Sequence, residues 1–214
     1  MKAVHRLLDV GLEQLTVMVY RMGEVAEKTI DLAITGFMEG KNVSNEVQEL
    51  SELLVSRAAE IEDKAFELIV KYQPVASDLR IINSYMKIAY DFERYGRYAW
   101  DIAFTHTKLG LDSCAVSWGL MGQLAEKVSE MVTNSVRALR GHDVKLAKAL
   151  AETEKEVDAT FFRYVDELAA STAETKLAMC NLLVARYLER IADHTTYVGE
   201  AIVYIDTGEK VILR

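Results

Sequence analysis

One proline, Pro74, in a chain of 214 residues leaves little room for a turn-dense β fold. Average usage near 5% predicts roughly ten prolines at this length. Sandwiches and barrels place proline and glycine at most of their corners, so the scarcity points to long uninterrupted helices. Half of the residues are apolar, enough for one or two cores, which excludes intrinsic disorder.

Apolar side chains recur at spacings of three and four nearly everywhere. Leu8, Leu12, Leu15, Val19, Met22, Ala26, Ile30, Ala33 and Phe37 trace one amphipathic helix of about 30 residues, roughly 45 Å long. Gly40 ends it, and Asn42 and Ser44 are candidate N-caps for a second helix from about Ser44 to Tyr72. That helix stops at Gln73-Pro74, because the proline ring disfavours α geometry in the residue before it. Ser77 or Asp78 starts a third helix reaching about Lys108, closed by Gly110, with Asp112 and Ser113 as caps for the fourth. The pattern predicts three more helices, at about Ala115–Arg140, Asp143–Ala170 and Thr172–Thr207. Helices this long suit antiparallel bundles joined by short loops.

The chain also repeats itself. Gly40-Lys41-Asn42-Val43 corresponds to Gly141-His142-Asp143-Val144, and Asp78-Leu79-Arg80-Ile81 to Glu174-Thr175-Lys176-Leu177. Ala89, Phe92, Glu93 and Arg94 correspond to Ala185, Leu188, Glu189 and Arg190. The expected fold is therefore all-α, a tandem repeat of two antiparallel three-helix bundles, with domains at 1–110 and 111–214.

Charge and composition narrow the function. The net charge of -8 argues against a nucleic-acid partner, since phosphate neutralisation needs clustered lysine and arginine. Cys114 and Cys180 show no metal or redox spacing and read as free thiols in a reducing compartment. Asp9 and Glu13 interrupt the first apolar stretch, so no signal-peptide core is expected, and no window is apolar enough to insert in a membrane. A cytoplasmic chain is the expectation. Glycine-rich phosphate loops, GxSxG and HExxH are missing from the sequence, so no enzyme class is indicated.

Carboxylates four residues apart share one helix face and can jointly hold a hard or borderline cation. Such pairs occur at Asp9/Glu13, Glu27/Asp31, Asp63/Glu67, Glu126/Glu130, Glu152/Glu156, Glu154/Asp158 and Glu189/Asp193. With 33 acidic residues chance supplies about five, so most are ordinary solvated faces. Glu154/Asp158 and Glu189/Asp193 differ, because they lie on neighbouring helices of the second bundle and can converge on one cation. His194 beside Asp193 either assists such a metal or, as lone histidines more often do, forms a structural hydrogen bond. No histidine follows a glutamate by three residues, which removes the ferritin-like di-iron pattern. The run Tyr85, Tyr90, Phe92, Tyr95, Tyr98, Trp100 and Phe104 is explained by core and inter-bundle packing. Arg94, Arg97, Arg186 and Arg190 are candidate partners for the nearby acids.

Lys71-Tyr72-Gln73-Pro74-Val75-Ala76-Ser77-Asp78-Leu79-Arg80, Tyr187-Leu188-Glu189-Arg190-Ile191-Ala192-Asp193-His194 and the run Ala201–Glu209 resemble the PhoU family of phosphate-transport regulators, over essentially the whole chain. The resemblance implies acidic metal motifs on the second and third helix of each repeat, binding iron, zinc or a metal of the magnesium class. Glu154, Asp158, Glu189 and Asp193 keep that pattern in the second repeat. The first repeat departs from it, with Ser51 and Val55 where acids are expected and Arg97 in place of an aspartate. Its site is expected to be degenerate, and Arg94 and Arg97 there favour an anion or a protein carboxylate. The resemblance further implies a negative regulator of phosphate uptake and phosphate homeostasis, contacting the phosphate ABC transporter ATPase and, where present, a membrane sensor kinase, commonly as a homodimer. The alternative is a metal-binding or metal-storing bundle whose carboxylate site is its main function. A metallohydrolase would need a dedicated base, which the sequence lacks.

Overall fold

The computed structural model describes residues 2–109 and 118–214. Six helices run in the order α1 Lys2–Glu39, α2 Ser44–Tyr72, α3 Ala76–Leu109, α4 Trp118–Gly141, α5 Val144–Ala170 and α6 Thr175–Thr207. The first three pack on one another as a bundle, the last three as a second, and α3 against α6 with α1 against α4 joins the two. The expected stop at Gly110, the caps Asp112 and Ser113, the start of α4 at Ala115 and the thiol of Cys114 lie outside the described residues.

The ends of the helices show where local chemistry and tertiary packing each decide. Gln73 adopts a left-handed conformation (φ 48°) and gives its N–H to the Ile69 carbonyl, so α2 stops one residue before Gln73-Pro74 can be continued as helix. Asp143 caps α5 by accepting from the Leu146 N–H. Asn42 does not cap α2; its Oδ1 accepts from the backbone N–H and hydroxyl of Ser44 and from Thr107 on α3, which ties the turn to the far end of the bundle. α1 is longer than its apolar stripe suggests, and α6 begins at Thr175 rather than Thr172 because residues 171–174 form the turn.

The core runs through both repeats. Leu15, Met22, Ile30, Leu54, Ile61, Ile82, Ile88 and Phe92 fill the first, and Val128, Val157, Tyr164, Leu188 and Ile191 the second. Tyr95 is wholly enclosed and its hydroxyl bonds Ser135 on α4 at 3.2 Å, so an aromatic of the first repeat reaches into the second. Glu27 and Asp31 accept from Thr133 and Ser129 on α4, while Arg140 pairs with Glu24. Arg80 donates from Nε to the Ile205 carbonyl at 3.2 Å and stands over the Tyr204 ring. It satisfies one of the carbonyls left open at the end of α6 and fastens the first repeat to that end of the helix.

Helix α6 crosses α5 closely at Gly199. A Cβ there would stand 2.9 Å from the Ala147 carbonyl oxygen and 3.3 Å from Leu150. Gly199→Ala is expected to destabilise the protein by about 1–3 kcal/mol, since backbone rather than a flexible side chain must move. Urea denaturation of the variant measures it, and an unchanged midpoint would show that the helices separate freely.

Candidate functional site

Heptad-like spacing on α5 and α6 turns two acidic pairs toward the interior of the second bundle. Glu154, Glu189 and Asp193 are buried and Asp158 is half-buried. Their fields overlap. Burial first, then Asp158 and Asp193, push the Glu154 carboxyl up, and burial followed by Asp193 does the same to Asp158. Glu189, at 8% exposure, rises furthest, to about 7, through burial and the Asp193 charge, with Asp158 adding to it. The structure thus brings the four carboxylates into one electrostatic neighbourhood.

Two guanidinium groups partly offset the repulsion. Arg186 bonds Glu189 Oε1 at 2.7 Å, and Arg190 pairs with Asp193, both one turn along α6. Glu189 Oε2 is nevertheless buried with no hydrogen-bond partner among the described residues. A buried acceptor without a donor is uncommon, and one on a carboxylate in the field of Asp193 and Asp158 fits a site for a cation. Among the described residues no three His, Cys, Asp or Glu side chains are already gathered as a metal cluster. Hard oxygen donors, an orphaned lone pair and raised pKa values fit such an ion chemically.

The first repeat keeps Glu93 where the second has Glu189, but has Ser51, Val55 and Arg97 at the other three positions. Val55 is 45% exposed, Arg97 stands 3.7 Å from Glu93, and Gly96 lets α2 approach until a Cβ there would lie 3.3 Å from the Ser51 Cα. Among the described residues Arg94 has no carboxylate within ion-pair distance. It donates to the Tyr98 hydroxyl at 2.7 Å and covers that ring, 4.7 Å from its centroid. Arg190 bonds the same hydroxyl, so two guanidinium groups from the two repeats converge on one phenol, and they lower its pKa despite burial. Most other i,i+4 acidic pairs are surface charges: Glu67 sits between Lys64 and Lys71, Glu152 meets Lys155, and Glu156 meets Lys127.

His194 has a structural partner. Its Nδ1 donates to Asp91 Oδ1 on α3 at 2.7 Å, with both residues buried in the seam between the repeats. Burial pushes the Asp91 carboxyl up, against the pull of His194. Asp91 belongs to none of the acidic pairs legible in the sequence. Its signal was its position, on the otherwise enclosed stripe Ser84, Ile88, Asp91, Tyr95, Tyr98 and Ile102. The aromatic run packs as expected at Tyr85, Phe92, Tyr95 and Tyr98, but Tyr90 and Phe104 are exposed. Cys180 is a buried thiol, and no helix among the described residues is long and apolar enough to cross a membrane.

Comparison with known proteins agrees with this architecture. A family model described as "PhoU domain" matches the chain twice, over residues 19–105 and 121–202. A "Phosphate-specific transport system accessory protein PhoU homolog" of Clostridium acetobutylicum is 31% identical, covering 98% of this chain and 98% of that protein. One of the same description from Aquifex aeolicus is 34% identical over 92% of each. The crystal structure of PhoU from Pseudomonas aeruginosa superposes with a TM-score of 0.89 at 25% identity, covering 94% of this chain and 99% of that one.

Proposed function

The chain belongs to the PhoU domain family, and from that premise we propose that it is a regulator of phosphate uptake and intracellular phosphate homeostasis, acting in the cytoplasm as a negative regulator. The observation that carries the reading is the end-to-end likeness to phosphate-transport accessory proteins, with a family domain in each half. Its working partner is the ATPase of the phosphate ABC transporter, and a membrane sensor kinase is a second partner where one exists. It acts as a homodimer of two-repeat chains, each repeat one three-helix domain, 1–110 and 111–214. Binding and release, rather than turnover, are what such a scaffold offers.

The metal reading belongs to the second repeat. Glu154, Asp158, Glu189 and Asp193 would hold a divalent or trivalent ion of the iron, zinc or magnesium class. The ion would supply positive charge among these carboxylates and bridge α5 to α6. The first repeat, with Ser51, Val55 and Arg97, has no matching set and is the degenerate half.

Affinity capture of the full chain from phosphate-replete cells tests the regulator reading. The transport ATPase is expected among the captured proteins, and a deletion strain is expected to take up phosphate without restraint when it is plentiful. Normal restraint in the deletion strain, with no ATPase captured, would overturn the reading.

A further inference from the structure

A second site lies away from the carboxylates, where α3, α6 and the C-terminal segment 208–214 enclose a cleft of about 760 Å³. That volume falls within the range of small-molecule sites. Leu213 gives its backbone N–H to Glu200 Oε1 at 3.0 Å, which holds the C-terminal segment against α6 as one wall of the cleft.

The groups lining it are ordered by depth. Innermost are Ser84, at 0% exposure, and Asp91, at 5%. Among the described residues the Ser84 hydroxyl has no hydrogen-bond partner. A buried hydroxyl with both donor and acceptor capacity unused is rare in a native interior and calls for a ligand or an explanation. Asp91 Oδ1 is taken by His194, and a carboxylate has further lone pairs with which to accept. The middle is aromatic, with Tyr90 from α3, itself 57% exposed, and Tyr197 and Tyr204 from α6. At the rim stand two exposed lysines, Lys87 on α3 and Lys210 on the C-terminal segment, and among the described residues neither has a carboxylate within ion-pair distance. Lys210 instead lies over the Tyr204 ring, 5.8 Å from its centroid.

We propose that this cleft binds a nucleoside monophosphate, with the base innermost and the phosphate at the lysines. Acceptors at the floor call for ring or exocyclic N–H donors. The exposed ring of Tyr90 calls for a planar partner, which stacks on tyrosine without regard to sequence context, whereas Tyr204 carries Arg80 and Lys210 and Tyr197 carries Arg214. Glu200 beside the middle accepts from ribose hydroxyls, and the two ammonium groups at the rim meet the phosphate. Simpler ligands meet only part of this order. Inorganic phosphate satisfies the rim and leaves the floor unpaired. A wholly apolar molecule strands Ser84 and Asp91, and a bare cation meets the lysines at the entrance. The proposal stands on the cleft alone and is independent of the phosphate-transport reading.

Calorimetric titration of the full chain with AMP and GMP tests it, with adenosine, ribose 5-phosphate and inorganic phosphate as separate arms. One site per chain is expected for at least one of the two nucleotides, with each fragment bound at least about tenfold more weakly. Lys87→Gln with Lys210→Gln is expected to weaken nucleotide binding about tenfold while leaving adenosine unchanged, and both positions are exposed, so the variant folds. Ser84→Ala, which removes an unpaired hydroxyl from the interior, is expected to leave stability intact and weaken the nucleotide. No saturable binding of either nucleotide, equal binding in the double-lysine variant, or phosphate alone matching the nucleotides would each overturn the proposal.

Discussion

His194→Ala is expected to destabilise the protein by about 3–5 kcal/mol, as removal of one partner from a buried pair does elsewhere. The imidazole holds Asp91 at 2.7 Å in the seam where α3 of the first repeat meets α6 of the second. Without it the carboxylate stays enclosed and loses its hydrogen-bond donor. The ring also packs against three tyrosines, edge-on to Tyr197 at 5.2 Å and tilted to Tyr98 at 5.7 Å and Tyr90 at 6.4 Å. Its removal therefore opens a cavity as well as orphaning a charge. Asp91→Ala, which leaves an imidazole nitrogen rather than a carboxylate to satisfy, is expected to cost less. The double variant is expected to cost less than the sum of the two, because no buried charge remains. Urea denaturation of the four proteins gives the cycle directly. A His194→Ala cost below about 1 kcal/mol, or strict additivity, would show that the pair contributes nothing to joining the repeats.

The same seam explains which parts of the molecule could be read from the sequence. Stripes such as Leu15, Val19, Met22, Ala26 and Ile30 give the helices away, because burial of one face is what makes a long helix stable. Stops written in backbone chemistry, such as Gln73-Pro74, were equally legible. Asn42 was not, since its acceptor is spent partly on Thr107, a contact that exists only after α3 has packed. The acidic pairs were readable as spacing on α5 and α6, and the repeat placed those helices side by side. Arg186 and Arg190 were visible too, three residues before Glu189 and Asp193, but spacing alone does not say that they close on those carboxylates. Asp91 and His194, 103 positions apart, gave no local sign of each other. Neither did the cleft, whose wall is a C-terminal segment with no helical pattern, held against α6 by Glu200.

Acidification from pH 8 to pH 5 is expected to stabilise the metal-free protein, and Glu189→Gln to remove most of that gain. The Glu189 carboxyl titrates near 7 in the folded chain, against an ordinary value near 4.5. A carboxyl raised on folding binds its proton more tightly in the native state, so its contribution is full below the unfolded value and is lost as pH rises toward 7. The span corresponds to at most about 3 kcal/mol for this one group, less whatever solvent screens. Every group facing it bears on the sign. Asp193 and Asp158 raise it, Arg186 and Arg190 pull it down, and burial outweighs both arginines. Glu154 and Asp158 shift in the same direction, so they add to the slope rather than cancel it. Replacing Glu189 by glutamine fixes the neutral form, and Arg186, half exposed, loses a partner at little cost. The variant should therefore be more stable than the natural chain at pH 8 and about equal to it at pH 5. Thermal unfolding across that range, in the presence of chelator, checks both statements. Parallel pH profiles for the two proteins would show that Glu189 is not the group under strain. A divalent cation added at pH 8 relieves the same repulsion by a different route, so it should raise the melting temperature of the natural chain and leave Glu189→Gln nearly unmoved. If instead both proteins respond equally, the cation is bound somewhere other than the interior of the second bundle.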